Sequence, residues 1–247
     1  MSNYGIEIRN GETGLVQIDN NYMNQAVMQS GLISSIGSYT TPYYGGRIYT
    51  LLINASIENP SLALDLSKTV WVSKTSFGVR TDGKTQVSIW VSGDPGQLKY
   101  YVFGSNIRST SGYGLVVYDS AGKITFDSGN KYLKILGIAA NSYTSFDPNN
   151  SANKDSDTSV QFDVYKYKLA ILITGDPTEY MQDVIFGGGT TVTLFLVFGV
   201  IPYRISNDNR VLQTMSYVTS IEGTGGAPDN NIDRHMPHSL VIDVTNY

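Results

Sequence analysis

The stretch that decides the fold class is GVRTDGKTQVSIWV, residues 78–91. The apolar residues of its second half recur at period two, as on a strand with one buried face: Val87, Ile89 and Val91. Asp82-Gly83, just before them, is a strong signal for a tight hairpin turn. We therefore predict a β-hairpin whose arms are Phe77–Thr81 and Thr85–Val91.

The same stretch matches, letter for letter, the phosphate-binding pattern G-x-x-x-x-G-K-[ST], with Gly78, Gly83, Lys84 and Thr85 at its fixed positions. A phosphate-binding loop has to lead into a helix, because the helix N-terminus supplies N–H donors and a favourable dipole. Here Thr85 leads into a strand pattern. The sequence therefore predicts that Lys84 is a solvated turn residue and that no nucleotide binds beside it.

Strand-like segments recur along the rest of the chain, each bounded by Gly, Pro, Asn or Asp. They are Val70–Val72, Tyr100–Phe103, Leu115–Tyr118, Leu169–Thr174, Thr191–Val200 and Leu240–Val244. Helical stripes are scarce; the best candidate is Asn21–Ile36, which contains Gly31 and has no clear cap. We predict an all-β protein, an antiparallel β-sandwich or jelly-roll-like fold made of hairpins.

The composition of this chain of 247 residues limits the classes of partner that we expect it to bind. Only 15% of the residues are charged, the net charge is −4, and no basic cluster stands out. A nucleic-acid partner held through its phosphates is therefore not expected. The 25 glycines and 18 tyrosines suit strands and turns better than helices.

The chain has no cysteine, so it can form neither a disulfide framework nor a thiolate metal site. Its start, MSNYGIEIRN, has no apolar signal core. The longest apolar run, Leu194–Ile201, is too short to cross a bilayer as a helix. We expect a soluble protein that folds where it is made and does not insert into a membrane.

Two patterns in the chain occur twice. Residues 4–19, YGIEIRNGETGLVQID, and residues 113–127, YGLVVYDSAGKITFD, each read as a hairpin that begins Tyr-Gly and ends in Asp. Residues 89–104 and 171–187 each read as a strand, a Gly-Asp-Pro turn and a strand that ends Phe-Gly. Proline ends the first strand of each unit, because it cannot donate to the ladder.

The order of these patterns predicts two related β halves, 1–108 and 109–190, followed by residues 191–247, which complete the sheet or contact neighbours. The alternative is that common turn motifs coincide, and the unequal spacing of the two copies leaves it open. Two polar segments, 146–158 and 222–239, read as exposed loops that we expect to order on contact with neighbouring subunits.

Residues 113–136, YGLVVYDSAGKITFDSGNKYLKIL, resemble a segment that recurs in minor tail or virion structural proteins of tailed bacteriophages. The motif positions are Tyr113, Gly114, Asp119, Ala121, Gly122, Phe126, Asp127, Ser128, Leu133 and Ile135. Residues 4–19 are a looser copy, in which Gln17-Ile18-Asp19 replaces the aromatic ending. The resemblance implies a virion location and a structural or host-contact role, and it supplies no catalytic residues.

Two groups of residues invite a metal-site interpretation. His235 and His238 are the only histidines, but Pro237 lies between them and no third ligand is apparent. The oxygen-bearing residues of the polar loop alternate as in a calcium loop: Asp147, Asn149, Asn153, Asp155 and Asp157. The loop lacks the glycine and the bidentate glutamate of an EF-hand, so only an irregular calcium site near 147–157 stays open.

No catalytic, cofactor-binding or metal-binding residues are predicted, and no G-x-S-x-G elbow is present. We predict a non-enzymatic structural subunit of a tailed bacteriophage particle, in the tail, tail tip or fibre attachment region. It is expected to assemble in the host cytoplasm with copies of itself and other virion proteins. The alternatives are a receptor- or glycan-binding module, in which tyrosines and Trp90 stack on sugars, and a carbohydrate hydrolase with paired carboxylates.

Overall fold

The computed structural model describes residues 7–9, 16–19, 24–40, 46–107, 114–139, 156–161, 166–173, 178–186, 192–200, 203–207, 210–213, 216–224 and 239–247. These residues form β-strands joined by turns, with a single turn of 3-10 helix at Ile33–Ser35 and no α-helix among them. The prediction of an all-β, antiparallel, sandwich-like fold is confirmed.

Twenty strands are present in the described part of the chain. In chain order they are β1 (Glu7–Arg9), β2 (Val16–Asp19), β3 (Ala26–Leu32), β4 (Gly37–Thr40), β5 (Arg47–Ile53), β6 (Ser61–Asp65), β7 (Val72–Val79), β8 (Thr85–Val91), β9 (Lys99–Gly104), β10 (Val116–Tyr118), β11 (Ile124–Asp127), β12 (Ile135–Ala139), β13 (Ser156–Gln161), β14 (Leu169–Ile173), β15 (Thr178–Phe186), β16 (Val192–Val200), β17 (Tyr203–Ile205), β18 (Arg210–Gln213), β19 (Ser216–Thr224) and β20 (Ser239–Asp243).

Two large sheets make up the body of the molecule. The six-stranded sheet has the order β12-β20-β14-β6-β9-β3, and the seven-stranded sheet has the order β13-β18-β17-β7-β8-β5-β4. A three-stranded sheet, β15-β16-β19, and the hairpins β1-β2 and β10-β11 complete the set. Both large sheets draw strands from either side of residue 108, so the predicted halves interleave in space. Their relatedness stays a prediction.

The main hydrophobic core lies between the two large sheets. The seven-stranded sheet supplies alternate residues such as Val87, Ile89 and Val91, all fully buried. The six-stranded sheet supplies Leu64 and Ile171 among others, also fully buried. Because side chains of a strand alternate between its faces, the residues in between point away from this core.

A second, smaller apolar cluster lies on the other face of the six-stranded sheet. Its buried members are Ala63, Tyr101, Phe103, Ala170, Leu172, Ile242 and Val244. Residues from outside the sheet cover it: Leu133 and Tyr247 pack against the cluster. The Tyr247 ring meets Tyr101 and Phe103 edge-on, with centroids 5.9 and 6.1 Å away.

The hairpin predicted from residues 78–91 is confirmed, because β7 and β8 pair antiparallel from Val79 opposite Thr85 onward. Gly83 has φ of 77° and its N–H donates to the carbonyl of Arg80, so this turn depends on a residue that tolerates positive φ. Lys84 is exposed, and Thr85 begins a strand rather than a helix. The match to the phosphate-binding pattern is therefore coincidental.

Several sequence predictions need correction. The helical candidate 21–36 is wrong: strand β3 and the 3-10 turn occupy its described part, where β3 pairs with β9. Val70 and Trp71 precede strand β7, which begins at Val72. The loop predicted at 146–158 contributes its last three residues to β13. The loop predicted at 222–239 contributes its first three residues to β19 and its last residue, Ser239, to β20. These residues are mostly polar, so pairing with neighbouring strands, and not apolar periodicity, places them in strands.

The two Tyr-Gly hairpins have the same pairing. In β1-β2, Glu7 lies opposite Asp19, and the register shifts one pair later, between Ile8 and Arg9. In β10-β11, Val116 lies opposite Asp127, and the register shifts at the equivalent place. The sequence repeat is thus also a repeat of local backbone structure, including its bulge.

Candidate functional site

Exposed large apolar side chains are concentrated in one segment of the chain. Among the residues whose side-chain burial the structure describes, which exclude those of β1, β2, β13, β15, β16 and β19, there are six such side chains: Leu52, Val79, Leu115, Tyr118, Ile135 and Ile138. The last four lie within 114–139, which is the hairpin β10-β11 and the strand after it. Scattered exposed apolar residues need no explanation, whereas a contiguous patch of them marks a contact surface.

The hairpin β10-β11 is rigidly built. One carboxylate oxygen of Asp119 accepts hydrogen bonds from the backbone N–H groups of Ala121 and Lys123, both at 2.8 Å. At the open end, the backbone N–H of Leu115 donates to the Ser128 hydroxyl at 2.9 Å. The Lys123 ammonium contacts Glu58 at 3.2 Å, which ties the hairpin to the body. The motif residues Asp119 and Ser128 are therefore turn and closure residues.

Tyr132 fixes the link between the hairpin and the next strand. Its ring stacks on Phe126 with centroids 4.8 Å apart, and its hydroxyl donates to the carbonyl of Asp127 at 3.0 Å. Burial raises the pKa of Tyr132. The backbone of Lys131 and Leu133 also hydrogen-bonds to the start of β3, at 2.9 Å each. These contacts therefore fix the position of the residues that precede strand β12.

Strand β12 forms one edge of the six-stranded sheet and presents two isoleucines to solvent. A bulge between Ile135 and Gly137 shifts the register, so that Ile135 lies opposite Ile242 and Ile138 lies opposite Leu240. Because Ile242 and Leu240 both belong to the second cluster, both isoleucines project from that face. They are 56% and 54% exposed. We call Ile135, Ile138 and the half-buried Leu240 the apolar strip.

The apolar strip continues the buried second cluster across the sheet. One row runs Ala170, Ile242, Ile135 and the next runs Leu172, Leu240, Ile138. In each row the innermost residue is buried and the outermost is exposed. β12 itself, ILGIA, has no charged residue, so its bulge rather than charge is what limits pairing of this edge with another strand. The edge therefore has the composition of a contact that another chain completes.

An ion pair between a buried aspartate and a half-exposed lysine lies on the same face of the sheet. Asp65 is fully buried, and its Oδ2 accepts from the Lys168 ammonium at 2.8 Å and from the Lys99 backbone N–H at 2.9 Å. Burial, and then the Asp65 charge, raise the pKa of Tyr101 well above its ordinary value. Burial raises the pKa of Tyr247 to about 12, and its hydroxyl donates to the Tyr132 carbonyl. Both tyrosines thus stay neutral, and Tyr101 lies beside the Asp65 carboxylate.

Two of the three buried carboxylates in the described part of the chain, Asp65 and Asp243, do not form the pair that glycoside hydrolysis needs. Asp65 lies beside Ala170 and Asp243 lies opposite Leu169, so they project from opposite faces of the sheet. Each contacts a lysine, Lys168 or Lys134 respectively. A hydrolase requires two carboxyl groups about 5 to 10 Å apart in one cleft. These two therefore act in packing.

The tryptophans do not form an open platform for sugar stacking. Trp90 is 2% exposed and packs with Ile48 and Trp71 on the outer face of the seven-stranded sheet. A Cβ at Gly46 would lie 2.2 Å from the Trp90 indole, so glycine is required for this close approach. Arg204 covers the Trp71 ring at 4.4 Å from its centroid. Stacking on a glycan would first require this group to open.

Lys84 lies at the rim of a shallow, open pocket of about 460 Å³. Met28, Gln29 and Leu52 line it along with the loop that follows β5. The Gln29 side chain spans the pocket. Its amide N–H donates to the Leu52 carbonyl at 3.1 Å, and its amide oxygen accepts from the Asn54 backbone N–H at 3.0 Å. With one ammonium group and no helix N-terminus at its rim, the pocket lacks the donors of a phosphate site.

Most residues of the two metal-site interpretations fall outside the described residues: His235, His238, Asp147, Asn149, Asn153 and Asp155. Asp157 lies on strand β13, opposite Leu212. Within the described ranges, no three metal-ligating side chains come together. The same ranges hold no helix of the length and apolarity that a membrane span requires.

Comparisons with protein families, with curated proteins and with solved structures give no match to this chain.

Sequence reasoning located the hairpin of the contact surface but missed the apolar strip. The apolar run formed by Ile135, Leu136 and Ile138 can be recognised in the sequence. The bulge that turns both isoleucines to one face, and the position of β12 at an edge, depend on pairing with β20, which is more than 100 residues away in sequence. No local pattern encodes that pairing.

Proposed function

We propose that this chain is a structural subunit of a tailed bacteriophage particle, in the tail, tail tip or fibre attachment region, and that it acts by assembly. The observation that carries the proposal is the coincidence of two features in 114–139. This segment contains most of the motif that resembles virion structural proteins. It also contains four of the six large apolar side chains that are exposed among the residues whose burial is described. Its partners are copies of itself and other virion proteins.

The physical basis is the cost of leaving such a surface in water. Each large apolar side chain that becomes buried stabilises a contact by about 1.5–3 kcal/mol before ordering costs. The hairpin and β12 are held in place by the bonds of Asp119, Ser128 and Tyr132, so little ordering is needed when they dock. A rigid, apolar, uncharged edge suits permanent subunit packing.

The proposal is tested directly by the composition of purified particles. Quantitative mass spectrometry should find peptides of this chain, at a fixed copy number, in purified particles of the tailed phage that encodes it. A fixed ratio to a known tail component would support a structural role. Particles that infect normally and contain no copy of the chain would refute it.

The apolar strip should be required for incorporation. We expect the double variant Ile135→Lys/Ile138→Lys to fold as the wild type does, because both side chains are more than half exposed. Its incorporation into particles should fall at least about tenfold, since two ammonium groups would have to be desolvated in the contact. Quantitative immunoblotting of purified particles measures the effect.

The matched control is Leu52→Lys/Val79→Lys, which places two lysines on side chains that are 41% and 73% exposed elsewhere on the surface. This control should be incorporated normally. Equal incorporation of both double variants would mean that the apolar strip is not the surface used in assembly.

A further inference from the structure

We propose that residues 244–247 form a strap that holds the hairpin β10-β11 on the body of the protein, through a hydrogen bond from the Tyr247 hydroxyl to the Tyr132 carbonyl. When the strap opens, the hairpin is released while the two large sheets stay folded. The hairpin and its open end carry Tyr118 and Leu115, so the strap determines whether these exposed side chains keep one fixed orientation. The strap acts in the free chain and does not depend on the proposed function.

The strap leaves strand β20 in a turn that hydrogen bonds fix. Val244 is buried, and its N–H donates to the Lys168 carbonyl at 2.8 Å. The Asp243 carboxylate accepts from the backbone N–H of Thr245 at 2.9 Å. The N–H of Tyr247 donates back to the Val244 carbonyl at 3.2 Å. The turn therefore brings the Tyr247 side chain back to the body of the protein.

Tyr247 contacts two separate parts of the molecule. Its ring packs edge-on against Tyr101 and Phe103 of the six-stranded sheet. Its hydroxyl donates to the carbonyl of Tyr132, which lies 115 residues earlier in the chain. Burial, and then the Asp243 charge, raise the pKa of Tyr247 to about 12, so the hydroxyl keeps at neutral pH the proton that it donates. One side chain thus joins the second cluster to the segment that follows the hairpin.

Tyr132 connects that segment to the hairpin itself. Its ring stacks on Phe126 of β11, and its hydroxyl donates to the carbonyl of Asp127, the last residue of β11. It also forms an isolated β-bridge with Ala26, the first residue of β3. Because Tyr132 is bonded to the strap on one side and stacked on β11 on the other, the position of the strap fixes the position of the hairpin.

Two other contacts between the hairpin and the described body are weak. The Lys123 ammonium lies 3.2 Å from Glu58, but these side chains are 41% and 57% exposed, and such ion pairs contribute little stability. The Asn24 amide reaches the Thr125 carbonyl only at 3.3 Å. A two-stranded hairpin alone is marginally stable in water. Loss of the Tyr132 junction should therefore release the hairpin before the large sheets open.

Spin labels test the strap, because the chain contains no cysteine and each label can be placed on one introduced cysteine. Labels at Tyr118→Cys on the hairpin and Val79→Cys at the end of β7 replace side chains that are 54% and 73% exposed. Pulsed electron paramagnetic resonance should give a narrow distance distribution for this hairpin pair. Tyr247→Ala should broaden the distribution at least about twofold, because a released hairpin moves relative to the body. Tyr247→Phe, which removes only the hydroxyl, should broaden it by less.

Two controls separate release of the hairpin from loss of the fold. Labels at Lys68→Cys, after β6, and Val79→Cys form a body pair, whose distance distribution should be the same in every variant. Asn246→Ala changes an exposed neighbour of Tyr247 within the strap and should leave the distribution of the hairpin pair narrow. Broadening that is confined to the hairpin pair in the Tyr247 variants supports the strap.

Either of two results would overturn the strap. One is a hairpin pair that stays narrow in Tyr247→Ala, or in Tyr247→Phe if Tyr247→Ala does not fold. The other is equal broadening of the hairpin pair and the body pair, which would mean that Tyr247 supports the whole body and not the hairpin. Both results leave the proposed function standing, since particle composition and Ile135→Lys/Ile138→Lys test it separately.

Discussion

Lys168→Met is expected to lower the free energy of unfolding by about 1–3 kcal/mol, because breaking a fully buried ion pair costs about 3–5 kcal/mol and the half-exposed position of Lys168 reduces that cost. The reason is that Asp65 stays behind, fully buried, with the Lys99 backbone N–H still donating to it and the Tyr101 hydroxyl close by. Lys168 reaches this carboxylate at 2.8 Å from a position that is itself half exposed, so the lysine is easily replaced. Urea denaturation of both proteins measures the difference.

Two controls identify the cause. Lys134→Met removes a lysine 3.7 Å from Asp243, which keeps bonds from the N–H and hydroxyl of Thr245, and should cost less than about 1 kcal/mol. Adding Asp65→Asn to Lys168→Met removes the stranded charge, and most of the loss should be recovered. If Lys168→Met costs no more than Lys134→Met, the buried ion pair does not stabilise the fold as described.

Phe103→Ala is the second substitution with a large expected effect, about 3–5 kcal/mol of unfolding free energy. Phe103 is fully buried in the second cluster, and its ring contacts Tyr247 from the end of the described chain. Its truncation removes buried apolar surface and leaves a cavity between the sheet and the residues that cover it. Thermal and urea denaturation measure the loss of stability.

The matched control for this substitution is Tyr118→Ala, since Tyr118 is an aromatic residue that is 54% exposed on β10. It should change the unfolding free energy by less than about 0.5 kcal/mol. Equal effects of the two substitutions would contradict the existence of a second core on the outer face of the six-stranded sheet.

Local chemistry made the hairpins predictable. Asp82-Gly83 and the run Asp119 to Gly122 specify turns through glycine at positive φ and carboxylate bonds to nearby N–H groups. The period-two pattern of β8 was likewise enough to reject the phosphate-binding match at Lys84. In each case the residues that decide the structure are neighbours in sequence.

Features that depend on distant pairing were not predictable. The strands before the two Gly-Asp-Pro turns look alike in sequence, yet β8 lies in the seven-stranded sheet and β14 in the six-stranded sheet. The helical candidate 21–36 is a strand because β9 pairs with it. Asp65 looks like a surface aspartate until Lys168 and Tyr101 come to lie beside it. The apolar strip is of the same kind, because β20 determines which face Ile135 and Ile138 share.

The most direct measurement is hydrogen–deuterium exchange of the β12 peptide, residues 135–139, in the isolated dilute chain and in the assembled particle. If this edge is a subunit contact, its amides should exchange at least about tenfold more slowly after assembly, because opening would then require the contact to break. Peptides from β8, buried in both states, serve as the reference. Equal exchange of residues 135–139 in the free and assembled chain would contradict the assembly role of this edge.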